Sequence, residues 1–290
     1  MTDELQQKVE RAIRLLQSVP YHNDEPIEIA YSGGKDSDVI LELARMAHIR
    51  YVAIYHNTTI DPPGTIRHAR DNGVTVLRPD VPFFKLLQSK GLPSRCRRFC
   101  CSALKEKPIY YNVVIGIRRS ESKARRDRYP EPIRCRVYSK QKNVRTQQIL
   151  PILDWSDSDE LEFIRERGIR LHPLYYREDG TIDIKRRLGC MCCPLQSKRK
   201  RIEEFKRYPL MLRQYVRNAA VFYDKHPDSS VRKWAASVYE WVFADIMYDT
   251  FADFRARCKD TLFPIAPTLA KVGMEKIFNV DLEFNTHKEK

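Results

Sequence analysis

The sequence predicts an α/β fold, a doubly wound and mostly parallel sheet followed by a helical C-terminal segment. Short apolar runs alternate with helix-periodic segments as far as residue 194, and strands separated by helices in this way form a parallel sheet covered on both faces. Beyond Cys193 the strand signals stop, and helix-periodic stretches rich in Tyr, Trp and Phe follow. We therefore expect an α/β domain over residues 1–194 and a helical segment over residues 195–290.

The predicted elements follow in order along the chain. The first is an amphipathic helix, whose apolar residues recur at helical spacing at Leu5, Val9, Ala12 and Leu16. Short apolar runs predict strands at 27–31, 51–55, 74–77, 112–117 and 148–152. Helical periodicity predicts further helices at 39–47, 62–70, 83–88, 161–169, 202–222 and 231–254. Ser156-x-x-Asp159 has the form of a capping box. His226-Pro227-Asp228 separates the last two predicted helices, and the basic stretch 118–145 shows only a weak apolar pattern.

Composition narrows the class of protein. Of the 290 residues, 42% are hydrophobic and 31% charged, which is ordinary for a folded chain and excludes a disordered or collagenous one. No apolar run approaches the roughly 18 residues that a membrane span needs. The first twenty residues include Asp3, Glu4, Lys8 and Glu10, which argues against a signal peptide. These features predict a cytoplasmic protein with no membrane partner.

The net charge of +14 is concentrated in one stretch of the chain. Residues 95–145 hold 16 basic and 4 acidic side chains. A solvated basic face is one interpretation, and an electrostatic field that attracts polyanions such as nucleotides, tRNA or DNA is the other. The charge alone leaves both open.

The segment Ser32-Gly33-Gly34-Lys35-Asp36-Ser37, here called the glycine loop, lies where the first strand ends and a helix begins. That junction is at the carboxyl edge of a parallel sheet, where ligands bind. Two glycines let the backbone approach an anion, and the N–H groups and dipole of the helix N-terminus favour negative charge. Lys35 can pair with a phosphate, and Ser32 and Ser37 can donate hydrogen bonds. The spacing is not that of a Walker loop, and an ordinary βα turn is the alternative.

The glycine loop resembles the pyrophosphate-binding motif of the adenine-nucleotide α-hydrolase superfamily, the PP-loop ATPases. Later blocks are similar to the phosphoadenylyl-sulfate (PAPS) reductase family within it: Asn57-Thr58-Thr59-x-Asp61, Arg98-Phe99-Cys100-Cys101-x-x-x-Lys105, Gly116-Ile117-Arg118-Arg119-x-Glu121-Ser122 and Leu150-Pro151-Ile152-x-Asp154-Trp155. By motif order the resemblance covers about residues 25–210. It implies that the predicted domain 1–194 binds ATP, or APS or PAPS, with Mg²⁺.

The resemblance also implies which residues form the site. Lys35, Asp36 and Arg118 are the catalytic candidates: Arg118 can fork a phosphate or sulfate, and Asp36 is either a first-turn residue stabilised by the helix dipole or a Mg²⁺ ligand. The nucleotide-binding candidates are Ser32, Gly33, Gly34, Lys35, Asp36, Ser37, Asn57, Thr58, Gly116 and Arg118. Three further basic residues are expected to face solvent or nucleic acid: Arg125, Arg126 and Arg128.

Eight cysteines in a chain without a secretion signal argue against a disulfide framework and for metal, cluster or redox chemistry. Cys100-Cys101 and Cys190-x-x-Cys193 are the informative pairs, because four thiolates suit a [4Fe–4S] cluster or tetrahedral zinc. The order of the pairs resembles that of iron–sulfur APS reductases, which favours the cluster. Cys96 or Cys192 can replace a member, and small buried thiols are the alternative. Two cysteines are expected to take no part: Cys135 and Cys258.

Three functions fit these expectations. The first is an enzyme that cleaves ATP between the α- and β-phosphates to form an adenylated intermediate, from which a sulfur-donor protein can displace AMP during sulfur transfer or modification of tRNA or DNA. The second is a reductase of APS or PAPS. The absence of a Glu-Cys-Gly-like tail after Cys258 argues against this function. The third is a nucleic-acid-binding module with a vestigial nucleotide site. The intact glycine loop argues against this function.

Overall fold

The computed structural model describes residues 1–138, 143–248 and 267–283, which form two compact units. The first unit comprises residues 1–79 and 101–190, and the second comprises residues 80–100 with the described residues from 191 onward. Residues 80–100, which the sequence analysis places in the α/β domain, thus belong to the second unit.

The first unit is built around a six-stranded sheet. Its strands are β1 (Ile27–Tyr31), β2 (Tyr51–His56), β3 (Thr75–Leu77), β4 (Asn112–Val114), β5 (Ile133–Tyr138) and β6 (Val144–Ile149). They lie in the order β3-β2-β1-β4-β6-β5, and every neighbouring pair is parallel except β5 and β6. The mostly parallel α/β sheet confirms the predicted fold class.

Three predictions need correction in the half of the sheet formed by β4, β6 and β5. The weakly patterned stretch 118–145 contains β5 and the start of β6, which form an antiparallel hairpin. An edge hairpin needs little apolar surface: along β5, Arg134 and Arg136 alternate with Ile133, Cys135 and Val137, and β6 is polar between Val144 and Ile149. The strand predicted at 148–152 ends at Ile149 because the chain turns there, and β4 likewise ends at Val114 rather than at residue 117.

Helices α1 (Asp3–Gln17), α2 (Lys35–Met46), α3 (Thr65–Asp71), α5 (Lys123–Arg128) and α6 (Asp157–Glu166) belong to the first unit. One face of the sheet packs against α1, α2 and α6 in the main hydrophobic core, which includes Leu5, Leu16, Ile27, Ile29, Val39, Leu43, Ala53, Val114, Ile149 and Phe163. The predicted capping box is present, with the Ser156 hydroxyl accepting from the Asp159 N–H. These contacts fix the start of α2, on which the site depends.

The second unit is helical in its described part. Its helices are α4 (Phe83–Lys90), α7 (Lys198–Arg207), α8 (Pro209–Lys225), α9 (Val238–Met247) and α10 (Pro267–Phe278). The predicted helix 202–222 is two helices, because Pro209 lacks the N–H that a continuous helix would use and instead starts α8. The predicted helix 231–254 begins only at residue 238, and its last six positions lie outside the described residues.

An aromatic core explains why residues 80–100 join the second unit. The ring of Phe83 in α4 stacks on Tyr215 in α8, and Gln88 donates to Asn218 at 2.6 Å. Phe205 packs edge to face against Phe243. No helix in the described parts of either unit is long and apolar enough to cross a membrane.

Candidate functional site

The glycine loop connects the central strand β1 to α2 at the carboxyl edge of the sheet. Gly33 adopts φ +76°, and a Cβ there would lie 2.8 Å from the Thr65 methyl carbon, so both the conformation and the space require glycine. Gly34 caps α2, and its carbonyl accepts from the Ser37 hydroxyl at 2.6 Å. The predicted loop residues are thus brought together in a tight turn at the helix N-terminus.

The hydroxyl of Tyr175 contacts this loop, a contact that no sequence pattern predicts. Its oxygen accepts from the backbone N–H of Lys35 at 3.1 Å and of Leu188 at 3.3 Å. Burial raises the pKa of Tyr175, so the hydroxyl keeps its proton. Because both acceptor positions of the oxygen are used, that proton is left to donate to a ligand.

Gly116 brings the chain after β4 against the same helix end. A Cβ on Gly116 would lie 2.8 Å from the carbonyl oxygen of Asp36, so only glycine permits this approach. Two residues later, Arg118 donates through Nε to Asp36 Oδ1 at 2.7 Å. The predicted Gly-x-Arg block therefore joins the glycine loop directly.

Lys35 and Arg118 share a buried ion-pair network with three carboxylates. Lys35 Nζ lies 2.6 Å from Glu160 Oε2 and 3.1 Å from Asp36 Oδ2. Arg118 contacts Glu160 at 3.1 Å and Asp157 at 2.9 Å, besides Asp36. Glu160 was missed by sequence reasoning, because an acid in the first turn of a helix is expected for its interaction with the helix dipole and does not indicate burial. The network holds both cations away from solvent, at 3% and 2% exposure for Lys35 and Arg118.

The two central carboxyls of the network are shifted in opposite directions. Burial, with a contribution from Asp36, raises the pKa of Glu160 to about 7, against the opposing effect of Lys35 and Arg118. Burial also raises the pKa of Asp36, but the two cations outweigh it and hold that pKa below its ordinary value. Both oxygens of Asp36 already accept from nitrogen donors, so the carboxylate offers a Mg²⁺ ion no unshared oxygen in this arrangement.

A cavity of about 430 Å³ opens beside the loop within the first unit. Ser32, Gly34, Asp36, Ser37 and Gly116 line it, whereas Lys35 and Arg118 do not. The cationic side chains on this end of its wall are Lys105, Arg125 and Arg187. Arg125, which was expected to face solvent or nucleic acid, lies on this wall and is 34% exposed; both it and Arg187 pair with Glu121.

Asn57 and Thr58 lie in the turn after β2 but do not line the cavity. The Asn57 side chain accepts from the Thr59 N–H at 2.8 Å, and the Thr58 N–H donates to Asp61 at 3.0 Å. The hydroxyl of Tyr55 also donates to Asp61, and Tyr55 does line the cavity. Thr58 is therefore connected to the cavity wall through Asp61 and Tyr55, whereas Asn57 stabilises the turn itself.

Two of the four predicted thiol ligands, Cys101 and Cys190, lie in the first unit around Lys105. The Lys105 ammonium hydrogen-bonds to Cys190 and is within electrostatic reach of Cys101 and Asp61. Burial lowers the pKa of Lys105, but Cys190 and Asp61 outweigh that effect and the net shift is upward. Lys105 lines the cavity, so this thiol pair neighbours the site.

The other two predicted ligands, Cys100 and Cys193, belong to the second unit, as does Cys192. Cys192 is buried, with φ +57°, and its N–H donates to Glu204 at 2.7 Å. Within the described residues, no three His, Cys, Asp or Glu side chains are grouped to hold a metal ion. The four-thiolate ligand set therefore stays a prediction. Cys258 lies outside the described residues.

The fold and the loop together define an α/β protein with a glycine-rich turn at a helix N-terminus on the carboxyl edge of its sheet. Residues 26–196 match the phosphoadenosine phosphosulfate reductase domain family, and the chain belongs to that family. The motif order in the sequence predicted this membership, which the match confirms.

Two relatives and two solved structures show how far the similarity extends. Two uncharacterized proteins of Methanocaldococcus jannaschii are 28% identical over 208 residues and 24% over 218, covering 66% and 70% of this chain. The matched regions are 46% and 43% of those proteins, so the chain spans less than half of their length. A phosphoadenylyl-sulfate reductase from Candida auris, in a phosphate complex, is 13% identical with a TM-score of 0.42, covering 66% of this chain and 96% of that one. An FMN adenylyltransferase from Candida glabrata with ATP is 16% identical with a TM-score of 0.41, covering 59% and 58%.

Proposed function

We propose that the chain binds an adenine nucleotide, with its phosphates at the glycine loop, and cleaves ATP between the α- and β-phosphates with transfer of the adenylyl group. The observation that carries the proposal is the glycine loop itself, at a helix N-terminus on the edge of a cavity. Backbone N–H groups at such a turn bind phosphate oxygens. Arg125 and Arg187, on the wall beside the loop, add the positive charge that a leaving pyrophosphate needs.

The catalysis that we propose is positioning and charge stabilisation. An acceptor oxygen attacks the α-phosphorus, the bond to the bridging oxygen breaks, and pyrophosphate leaves with the electron pair. Lys35 and Arg118 face Asp36 and Glu160 rather than the cavity, so we assign them a positioning role. They hold Asp36 and the start of α2 in place, while Arg125 and Arg187 contact the phosphates. Mg²⁺ would arrive bound to the nucleotide phosphates.

The test is pyrophosphate release from ATP together with binding of inorganic pyrophosphate. Replacing Arg125 and Arg187 by Gln should weaken pyrophosphate binding by about tenfold or more, because each charge-assisted hydrogen bond contributes roughly 1.5–3 kcal/mol. Arg119→Gln is the matched control, since Arg119 pairs with Asp154 and does not line the cavity. Wild-type protein that binds neither pyrophosphate nor ATP would overturn the proposal.

Membership of a reductase-domain family keeps reduction of APS or PAPS as the second candidate function. Sulfite release from PAPS with a thiol reductant measures it directly. Sulfite formation without pyrophosphate release would favour the reductase, and the converse would favour adenylyl transfer.

The acceptor of the adenylyl group is proposed to be a tRNA or DNA, from which a sulfur-donor protein would then displace AMP. The basic stretch 95–145 is less free to bind nucleic acid than its composition indicates, because Arg118 is buried, Arg136 is paired with Glu106, and Arg125 lines the cavity in which we propose that the phosphates lie. Pyrophosphate release that depends on added nucleic acid would identify such an acceptor.

A further inference from the structure

A cavity of about 240 Å³, here called the second cavity, lies in the first unit between α1 and the turn that follows β6. Helix α1 contributes Lys8, Arg11, Ala12 and Leu15, whose spacing places them on one stripe of the helix. The turn at residues 150–155 supplies most of the opposite wall. In the described structure the second cavity shares no lining residue with the cavity beside the glycine loop, so the two are separate sites.

The second cavity lies where two hydrophobic clusters meet. Ala12 and Trp155 belong to the main hydrophobic core, whereas Leu150 and Leu153 belong to a smaller cluster that includes Tyr129. Most of the residues that line the cavity are therefore apolar. Water in such a space finds few hydrogen-bond partners, so an apolar group that displaces the water gains free energy.

The size of the second cavity limits what it can hold. An apolar cavity of about 150 Å³ is large enough for one benzene ring. The second cavity exceeds that volume but is smaller than the roughly 300–1,000 Å³ of a site for drug-sized ligands. Pro132 and Pro151 give its wall rigid apolar surfaces. A single ring, or a chain of similar volume, with a short substituent matches this space.

Three of the lining side chains are charged, and they differ in their partners. Asp154 pairs with Arg119, and the Lys8 ammonium lies within 2.8 Å of two carboxylates. The exposed Arg11 guanidinium donates through Nε to the Gln7 carbonyl at 3.3 Å, and no carboxylate among the described residues pairs with it. Arg11 is thus the charged group of the lining that is left to pair with a ligand, and its charge selects an anion.

We propose that the second cavity binds a small carboxylic acid with an apolar body. The body fills the space between α1 and the turn at residues 150–155, and the carboxylate accepts hydrogen bonds from the Arg11 guanidinium. A guanidinium and a carboxylate match in geometry, since two parallel N–H groups can donate to the two oxygens. This proposal does not depend on the proposed function, because the cavity lies apart from the glycine loop.

Ligand-observed NMR titration tests the proposal with phenylacetate as the probe and phenylacetamide as a neutral probe of the same shape. Arg11→Gln should weaken phenylacetate binding about threefold to tenfold and leave phenylacetamide binding unchanged, because only the charged probe uses the guanidinium. Arg14→Gln is the matched control, since Arg14 is exposed on the same helix, pairs with Glu10 and does not line the cavity. It should bind both probes as the wild type does.

Leu15→Trp places a larger side chain in the cavity and should weaken binding of both probes. Phenylacetate affinity that Arg11→Gln leaves unchanged, or an equal loss of both probes in that variant, would overturn the proposal. So would a wild type that binds none of phenylacetate, indole-3-acetate and hexanoate. Arg11→Gln decides alone if Leu15→Trp fails to fold.

Inorganic pyrophosphate, titrated into the same proteins, keeps this proposal separate from the proposed function. Arg11→Gln and Arg14→Gln should bind pyrophosphate as the wild type does, because neither residue lines the cavity beside the glycine loop. A wild type that binds phenylacetate but not pyrophosphate or ATP would overturn the proposed function and support the second cavity as a site.

Discussion

At the scale of single residues, Tyr175 is the side chain whose role is most sharply testable. Its oxygen accepts two backbone N–H bonds at the glycine loop, which leaves its proton for an anion bound there. Tyr175→Phe should therefore weaken binding of inorganic pyrophosphate about threefold to tenfold, as expected for one lost hydrogen bond.

Tyr176→Phe is the control for this prediction. The Tyr176 hydroxyl also accepts from a backbone N–H, that of Leu171, but Tyr176 does not line the cavity. Equal pyrophosphate affinity in the two variants, or tighter binding by Tyr175→Phe, would show that the hydroxyl does not contact the anion.

Glu160 should make stability depend on pH. Its pKa is raised from 4.5 to about 7 in the folded chain, so the folded state holds this proton more tightly than the unfolded state does. The corresponding stabilisation is complete below pH 4.5 and is lost as the pH rises through about 7. The melting temperature of the wild type should therefore fall relative to that of Glu160→Gln over this range.

Thermal melts of both proteins between pH 4.5 and 8 measure the difference. His172 has its pKa lowered to about 4, mainly by burial, and pulls stability the opposite way, but it is present in both proteins and cancels. Glu166→Gln, an exposed position on the same helix, is the control. A constant difference between wild type and Glu160→Gln across the range would contradict the shifted pKa.

The residues that the sequence identified and those it missed differ in a physical way. The glycine loop has a local signature, since positive φ and close backbone approach demand particular residues in consecutive positions. Glu160 and Tyr175 are far along the chain from Lys35, and their contacts with it arise only when β1, α6 and the segment after it are packed. No local pattern encodes such a contact.

At the scale of elements, the contact between Gly116, after β4, and the start of α2 leaves no room for a larger residue. Gly116→Ala would place a Cβ 2.8 Å from the Asp36 carbonyl oxygen, and backbone on both sides prevents an easy escape. We expect a loss of roughly 1–3 kcal/mol in unfolding free energy, the usual cost of overpacking, together with weaker pyrophosphate binding.

Gly189→Ala is the matched control, because nothing lies within 4 Å of a Cβ there and its φ is not positive. Chemical denaturation measures both variants. Wild-type stability and pyrophosphate affinity in Gly116→Ala would mean that the two segments are not in the described contact.

Elements were predictable where burial imposes a period. The parallel strands β1 and β2 and helices α1 and α2 have apolar patterns that match their buried faces. The hairpin of β5 and β6 was missed because β6 is polar between Val144 and Ile149 and the stretch is highly charged, although Arg134 and Arg136 alternate regularly with apolar residues along β5. In the fold, Arg136 pairs with Glu106 and lies over the ring of Tyr138. Pro209 is a sequence signal for a break between two helices. One continuous helix was predicted instead, because the helical apolar period continues on both sides of this proline.

At the scale of the whole molecule, the cysteines are the predicted feature that still needs a measurement. If Cys100, Cys101, Cys190 and Cys193 hold one [4Fe–4S] cluster or zinc ion, each single Ser variant should lose metal and melt at a lower temperature, since metal-binding energy is also folding energy. Iron and zinc per chain after anaerobic purification measure this.

Cys135→Ser is the internal control, because Cys135 is exposed on β5. Cys192→Ser decides whether that buried thiol replaces a neighbour. Wild-type protein with less than a stoichiometric metal, or four variants that retain theirs, would show that the thiols do not share a site.

The pairing of β1 with β4 has a consequence for the order in which the chain folds. Glu28 meets Val113 across a long intervening segment, whereas Tyr138 meets Val144 within a short hairpin. Closing a long loop costs more chain entropy than closing a short one, so the hairpin can form early and the central pairing must come later. Gly116 follows β4, so the start of α2 acquires its contact with Gly116 only in that late step. A ligand bound there would then recognise the native chain and not its partly folded precursors, and would stabilise it by mass action.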